Sequence, residues 1–131
     1  PKTVPDFDFA DWERTYRGLL DQARQANPAL KIVLCTPFAA PCGKIVEGAL
    51  GEYYPLRQRI LAQCCVIVER IAADYGATLV PFHRLIADLE TRLPNGDATY
   101  WVWDGIHPTP AGQRLMADCW IGAAARNGVM E

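Results

Sequence analysis

The sequence predicts an α/β domain with a parallel sheet, and three observations support that prediction. Two short apolar runs rich in β-branched residues, 30–36 and 77–82, have the pattern of strands buried on both faces. Apolar residues at helical spacing precede, separate and follow these runs. Strands that alternate with helices in this way are joined by crossover connections and lie parallel in one sheet.

The first predicted helix covers Phe9–Ala26 and is followed by the first strand. Asp8 is placed to cap the N-terminus of this helix, and Asn27-Pro28 ends it. Its predicted buried stripe consists of Phe9, Trp12, Tyr16, Leu19, Leu20 and Ala23. Pro37 ends strand 30–36, and we expect a long loop over residues 38–53, which contain one proline and three glycines.

The second half of the chain repeats the alternation. A second helix is predicted over residues 55–75, with Gly76 as the residue that ends it. After strand 77–82 we expect a short helix over residues 84–92, a turn at Asn95-Gly96-Asp97 and an apolar segment over residues 98–103. The last helix begins at Thr109-Pro110, a threonine cap followed by proline, and ends at Asn127-Gly128.

Two strands are few for a parallel sheet, because such sheets need neighbours on both edges. We therefore expect residues 1–131 to be the C-terminal part of a single domain whose other strands precede Pro1. The alternative is a strand missed within residues 38–53 or 100–103.

Composition excludes several functional classes. The chain has 131 residues, 13 basic and 15 acidic, so its net charge of −2 argues against a nucleic-acid partner. No run of 18 apolar residues exists, which argues against a membrane span. Five cysteines without a CxxC pair predict neither a disulfide framework nor a zinc site, and we expect no metal and no cofactor. Free cysteines favour a reducing compartment such as the cytoplasm, although a targeting signal would lie upstream.

The segment around Asp104 and His107 has the spacing of an acid–base pair. The Asp104 carboxylate can reach the Nδ1–H of His107, which fixes the tautomer and leaves Nε2 as a general base. Gly105 permits a tight backbone between them. In the alternative interpretation, Asp104 only caps a turn and His107 is an ordinary loop residue. Metal sites also use this spacing.

The longer string WVWDGIHPTPAGQRLMADCW resembles the last block of SGNH/GDSL-type hydrolases, a group of lipases, acylhydrolases and carbohydrate acetylesterases whose common form is D-G-x-H-P-(S/T). The segments KIVLCTPFAAPCG and DYGATLVPF precede this block in the same order as in the family. The resemblance implies a three-layer α/β/α, flavodoxin-like fold and a Ser–His–Asp esterase acting on a small ester. By the same resemblance, Asp104 is the orienting acid and His107 the general base.

The sequence also departs from the family pattern. Neither the G-D-S nor the G-x-N-D motif is present, and the chain contains no serine. Gln113 stands where the family commonly has histidine. We therefore expect the nucleophile to lie in a missing N-terminal half and the chain alone to be inactive. The alternative is a non-catalytic α/β interaction module or a truncated inactive homologue.

Several other residues are candidates for the site or its surroundings. Trp101 and Trp103 flank the Asp104–His107 segment and could wall a substrate site, although we expect at least one to serve packing. His83 follows the second strand, where α/β folds bind ligands, and a surface role is the alternative. Cys35 or Cys42 would allow a cysteine hydrolase, and Thr36 is a weaker substitute nucleophile. An exposed sheet edge predicts self-association or pairing with the N-terminal half.

Overall fold

The computed structural model describes residues 7–93 and 97–130. Its helices and strands confirm the predicted α/β class. The helices are α1 (Phe9–Ala26), α2 (Gly48–Glu52), α3 (Tyr54–Tyr75), α4 (Phe82–Arg92) and α5 (Pro110–Arg126), and the strands are β1 (Val33–Cys35) and β2 (Thr78–Val80). Short 3₁₀ turns lie at Gly43–Val46 and Ala98–Tyr100. Of the predicted turn at 95–97, residues 95 and 96 lie outside the described ranges.

The sheet consists of β1 and β2, which pair in parallel with Leu34 opposite Leu79. Helix α3 is the crossover between them, and α5 packs against β2. Each paired strand has three residues and is shorter than the apolar run that predicted it. The remaining residues of each run lie outside the paired ladder. Within residues 7–93 and 97–130 no third strand joins the sheet, so the alternative of a missed strand in 38–53 or 100–103 is wrong for those segments. This architecture matches part of the flavodoxin-like fold that the resemblance implied.

The main core lies between β1, α1 and α3. Its buried residues are Ile32, Leu34, Ile67, Val68, Ile71 and Ala72. Four of the six residues in the predicted α1 stripe pack against this core, namely Phe9, Trp12, Tyr16 and Leu20. Leu19 does not, because its side chain is 63% exposed. The helical period places it beside the buried stripe rather than within it.

Ion pairs link the helices that pack on this core, and capping contacts mark where those helices begin and end. Glu13 of α1 accepts hydrogen bonds from Arg17 and from Arg70 of α3, which links the two helices. These hydrogen bonds lower the pKa of Glu13 below its usual range. The Asp8 carboxylate caps α1 through the Asp11 N–H at 2.9 Å, as predicted. Gly76 ends α3 with a φ of +58°, a left-handed conformation that favours glycine.

The region after β1 differs from the loop that the sequence predicted. Residues 38–53 contain the 3₁₀ turn Gly43–Val46 and the five-residue helix α2. Helix α2 packs against that turn and against α3. Two of its five residues are glycines, which have poor helix propensity, so it depends on packing that sequence spacing does not reveal. Helix α4 likewise begins at Phe82, two residues before the predicted start.

Candidate active site

Asp104 and His107 are joined directly in one loop before α5. The Oδ2 atom of Asp104 lies 2.7 Å from Nδ1 of His107. The other oxygen, Oδ1, accepts the backbone N–H groups of His107 at 2.7 Å and Ile106 at 2.9 Å. The hydrogen bond expected from the spacing is therefore present. Both carboxylate oxygens are occupied within the loop.

The loop around this pair is closed at its base. The Trp103 N–H donates to the His107 carbonyl at 3.1 Å, and Val102 and Pro108 form an isolated antiparallel bridge. The Thr109 hydroxyl donates to the Tyr100 carbonyl at 2.7 Å and accepts the Gly112 N–H at 3.1 Å, which caps α5 as predicted. The pair is thus held between a closed turn and a helix N-terminus.

The loop also interlocks with the segment that follows β1. The Ala40 N–H donates to the Gly105 carbonyl at 2.9 Å, and the Ile45 N–H donates to the Asp104 carbonyl at 3.3 Å. Gly105 has a φ of +90°, and a Cβ there would lie 2.1 Å from Cγ2 of Ile45. Gly43 has the reciprocal position, since its Cβ would lie 2.6 Å from Cα of Asp104. Both sites need glycine because the two backbones approach too closely for a side chain.

The electrostatics of the pair suit a base and its orienting acid. Hydrogen bonds from the His107 backbone and ring, with a further one from the Ile106 N–H, lower the pKa of Asp104 to about 2. Asp104 is therefore ionised near neutral pH and can accept a hydrogen bond from the Nδ1–H of His107. The Asp104 side chain is 14% exposed and that of His107 is 67% exposed. The His107 imidazole is therefore mostly exposed to solvent, where a general base can meet a substrate.

The two tryptophans have different positions. Trp103 stacks on the His107 ring with centroids 6.1 Å apart and planes at 24°, and its side chain is 54% exposed. Trp101 packs against a second buried cluster, which contains Ala40, Cys42, Ile86, Ala98 and Val102. Its Nε1 is buried and has no hydrogen-bond partner in the described part of the chain. Only Trp103 therefore borders the imidazole, and a substrate contact for either tryptophan remains a prediction.

His83 lies at the carboxyl end of β2 but belongs to a separate group. Its Nδ1 is 2.7 Å from the hydroxyl of Thr36, which also accepts the His83 backbone N–H at 3.1 Å. Its Nε2 is 3.6 Å from Glu69. Thr36 is 2% exposed, so its hydroxyl is poorly placed to meet a substrate. Thr36 thus contacts both the backbone and the ring of His83.

The cysteines and acidic groups offer little support for other chemistry. Burial raises the pKa of the Cys35 and Cys42 thiols, which disfavours the reactive thiolate. The Cys42 thiol donates to the Val102 carbonyl at 2.9 Å, which links the segment after β1 to the residues before Asp104. Across residues 7–93 and 97–130 no three His, Cys, Asp or Glu side chains gather as metal ligands would. No helix in those ranges has the length and apolarity to cross a membrane.

One cavity borders the Asp104–His107 loop through Ile106, a second cavity adjoins the first, and the sequence did not predict either. One of about 280 Å³ is lined by Phe38, Ala39, Ile45, Arg57, Ile60, Leu61 and Ile106. The other, of about 310 Å³, lies between α3 and α4 and includes His83 and Glu90. Phe38, Ala39 and Leu61 line both. The residues that line each cavity come from segments far apart in the chain, so sequence spacing does not reveal them. Ile106, an apolar residue beside His107, is the one local indication of the first cavity.

Comparison with known proteins identifies a family and a similar fold. The model of the GDSL-like lipase/acylhydrolase family matches residues 3–115. A crystal structure from Parabacteroides merdae, of a protein provisionally named a GDSL-like lipase, is similar with a TM-score of 0.72 and 28% sequence identity. The similarity covers 86% of this chain and 48% of that one, so the chain spans about half the length of its structural relative. No curated protein matches the sequence.

Proposed function

Because the chain belongs to the GDSL-like lipase/acylhydrolase family, we propose that it supplies the general base His107 and the orienting acid Asp104 of a carboxylic ester hydrolase. The observation that supports this proposal is the 2.7 Å contact between Asp104 and Nδ1 of His107. With Asp104 ionised and the imidazole exposed, Nε2 is available as the proton acceptor.

In the proposed reaction, Nε2 of His107 removes the proton from a nucleophilic hydroxyl as its oxygen attacks the ester carbonyl carbon. Asp104 stabilises the imidazolium that forms. The imidazolium then gives its proton to the departing alcohol as the ester C–O bond breaks, which leaves an acyl-enzyme. Water, deprotonated by the same nitrogen, hydrolyses the acyl-enzyme and restores the hydroxyl.

We further propose that a serine outside these 131 residues provides that hydroxyl. The chain contains no serine, and it covers 48% of its structural relative. The buried Thr36 and the raised pKa of the Cys42 thiol make both poor substitutes. On this proposal the missing nucleophile and oxyanion donors reach His107 from a segment that packs beside β1.

The test is hydrolysis of p-nitrophenyl acetate by the protein at its full natural length, beside its His107→Ala variant and the 131-residue chain alone. We expect turnover by the first and background rates from the other two, since losing a triad member costs on the order of 10⁴–10⁶ in rate. An acetylated sugar assayed in parallel tests the carbohydrate acetylesterase subtype.

Two results would contradict this proposal. Turnover by the 131-residue chain, abolished by His107→Ala, would place the nucleophile within it. No hydrolysis of any acyl ester at full natural length would favour a non-catalytic module.

A further inference from the structure

The cavity that Ile106 of the Asp104–His107 loop lines is apolar except for one cation. Its lining includes Ile106, the residue before His107, together with Ile45 and with Ile60 and Leu61 of α3. Its volume of about 280 Å³ lies just below the usual range for small-molecule pockets, about 300–1,000 Å³. A short chain of carbon atoms therefore suits it better than a long lipid tail.

Arg57 is the charged residue of this lining. The side chain is half-buried, and within residues 7–93 and 97–130 its guanidinium has neither an ion-pair nor a hydrogen-bond partner. Other half-buried arginines of the chain are paired: Arg17 contacts Glu13 and Asp74, and Arg24 donates to the Tyr75 carbonyl. A guanidinium beside apolar groups is stabilised by an anion, which accepts its hydrogen bonds in a fixed geometry.

We propose that this cavity binds the acyl part of the substrate and that this part carries an anionic group, so that the enzyme prefers half-esters of short dicarboxylic acids. The ester carbonyl lies at His107, the methylene chain passes Ile106 and Ile45, and the free carboxylate pairs with Arg57. The inference rests on the proposed ester hydrolysis for the chemical class of the ligand, and Arg57 acts in it as a specificity-determining residue.

Binding tests this inference without any turnover. The protein at its full natural length, carrying His107→Ala, is titrated with monomethyl adipate and with dimethyl adipate. These ligands differ in a single charge. We expect the half-ester to bind roughly three- to tenfold more tightly, as a partly screened charge-assisted hydrogen bond provides. Methyl NMR shifts at Ile45 and Ile106 should locate the binding.

The matched variants are Arg57→Gln and Arg59→Gln. Arg59 lies on the same helix and is exposed, and it lines neither cavity. Arg57→Gln should abolish the preference for the half-ester while the diester affinity stays within about twofold, and Arg59→Gln should keep the preference. Raising the salt concentration should weaken the preference in the protein with Arg57 intact, which needs no further variant.

Equal binding of the two ligands, absence of binding, or a preference that survives Arg57→Gln would overturn the inference. Shifts at Ile86, which lines the neighbouring cavity, in place of Ile45 and Ile106 would also overturn it. Because turnover is not measured, an Arg57-dependent preference in a protein that hydrolyses no ester would refute the proposed reaction and leave this binding site standing. Hydrolysis without the preference would do the reverse.

Discussion

The chain has two histidines, and their surroundings differ although His83 follows β2 and the loop of His107 contacts the segment after β1. In each, Nδ1 has a hydrogen-bond partner at 2.7 Å, which is the Asp104 carboxylate for His107 and the Thr36 hydroxyl for His83. The His107 side chain is 67% exposed and that of His83 is 28% exposed. Nε2 of His83 also has Glu69 nearby at 3.6 Å, and burial lowers the pKa of His83.

A hydrogen bond that fixes the ring does not by itself make a histidine a general base. A carboxylate on Nδ1 stabilises the imidazolium, whereas a neutral hydroxyl does so only weakly. His83 therefore has the features of a structural histidine between α3 and α4, and His107 has those of a base. All rate measurements use the protein at its full natural length.

The largest expected difference is between His107→Ala and His83→Ala. Removing the proposed base should lower kcat/KM for p-nitrophenyl acetate by about 10⁴-fold or more, whereas removing His83 should lower it less than about tenfold. Steady-state kinetics on both variants measure this, with circular dichroism to check folding. Equal losses would mean that His83 is part of the reaction and that the contrast is wrong.

A smaller loss of activity is expected when the hydrogen-bond partner of each imidazole ring is substituted. Asp104→Asn keeps the shape but removes the charge, and it favours the wrong tautomer, so kcat should fall by roughly 10³–10⁴-fold. Thr36→Val leaves the His83 N–H without its acceptor and should reduce the free energy of unfolding by about 1–3 kcal/mol. Its kcat should stay within about threefold. If Thr36→Val lowered kcat as much as Asp104→Asn, the two histidines would be coupled.

The third prediction concerns the backbone beneath His107. Gly105→Ala should reduce the free energy of unfolding by about 2–4 kcal/mol, because the left-handed φ and the contact with Ile45 both oppose a Cβ. Gly18→Ala is the control. Gly18 lies within α1 with no atom within 4 Å of the added Cβ, so alanine should stabilise by about 0.5–1 kcal/mol. Urea denaturation measures the free energy of unfolding of both variants. An unchanged value for Gly105→Ala would show that the two loops are not tightly interlocked.

The smallest expected effect is in the titration of His83. Burial lowers its pKa below the ordinary value of 6.5, while Glu69 raises it, so Glu69→Gln should lower it further. The unfolded chain then binds this proton more readily, and the free energy of unfolding should fall as pH decreases from about 7 to about 5. NMR of the His83 ring protons measures the titration. A pKa above 6.5 would show that Glu69 outweighs burial.

Local sequence predicted those features that a few neighbouring residues determine. The caps at Asp8 and Thr109, the end of α3 at Gly76 and the contact between Asp104 and His107 all involve partners within about four positions. Period and capping chemistry fix such features before any tertiary contact forms. The catalytic role of the pair stays a prediction.

Features that depend on distant packing were not predictable. Helix α2 contains two glycines and depends on α3, and Leu19 is exposed although its spacing fits the buried stripe. The cavity with Arg57 joins residues 38–39, 45, 57, 60–61 and 106, which approach only in the folded chain. Gly43 approaches Asp104 across about sixty positions of the chain, and Gly105 approaches Ile45 across a similar separation. Local sequence therefore did not reveal either contact.

The closed hydrogen bonding of Asp104 has a consequence for the reaction rate. Its carboxylate is satisfied by the Ile106 and His107 N–H groups and by the His107 ring, all within three residues. The imidazole is therefore preorganised when the chain folds, and its rotational entropy is already lost before a substrate binds. On the proposed mechanism, the activation barrier then depends on how accurately the nucleophilic hydroxyl is delivered to Nε2, and little on orienting the base itself.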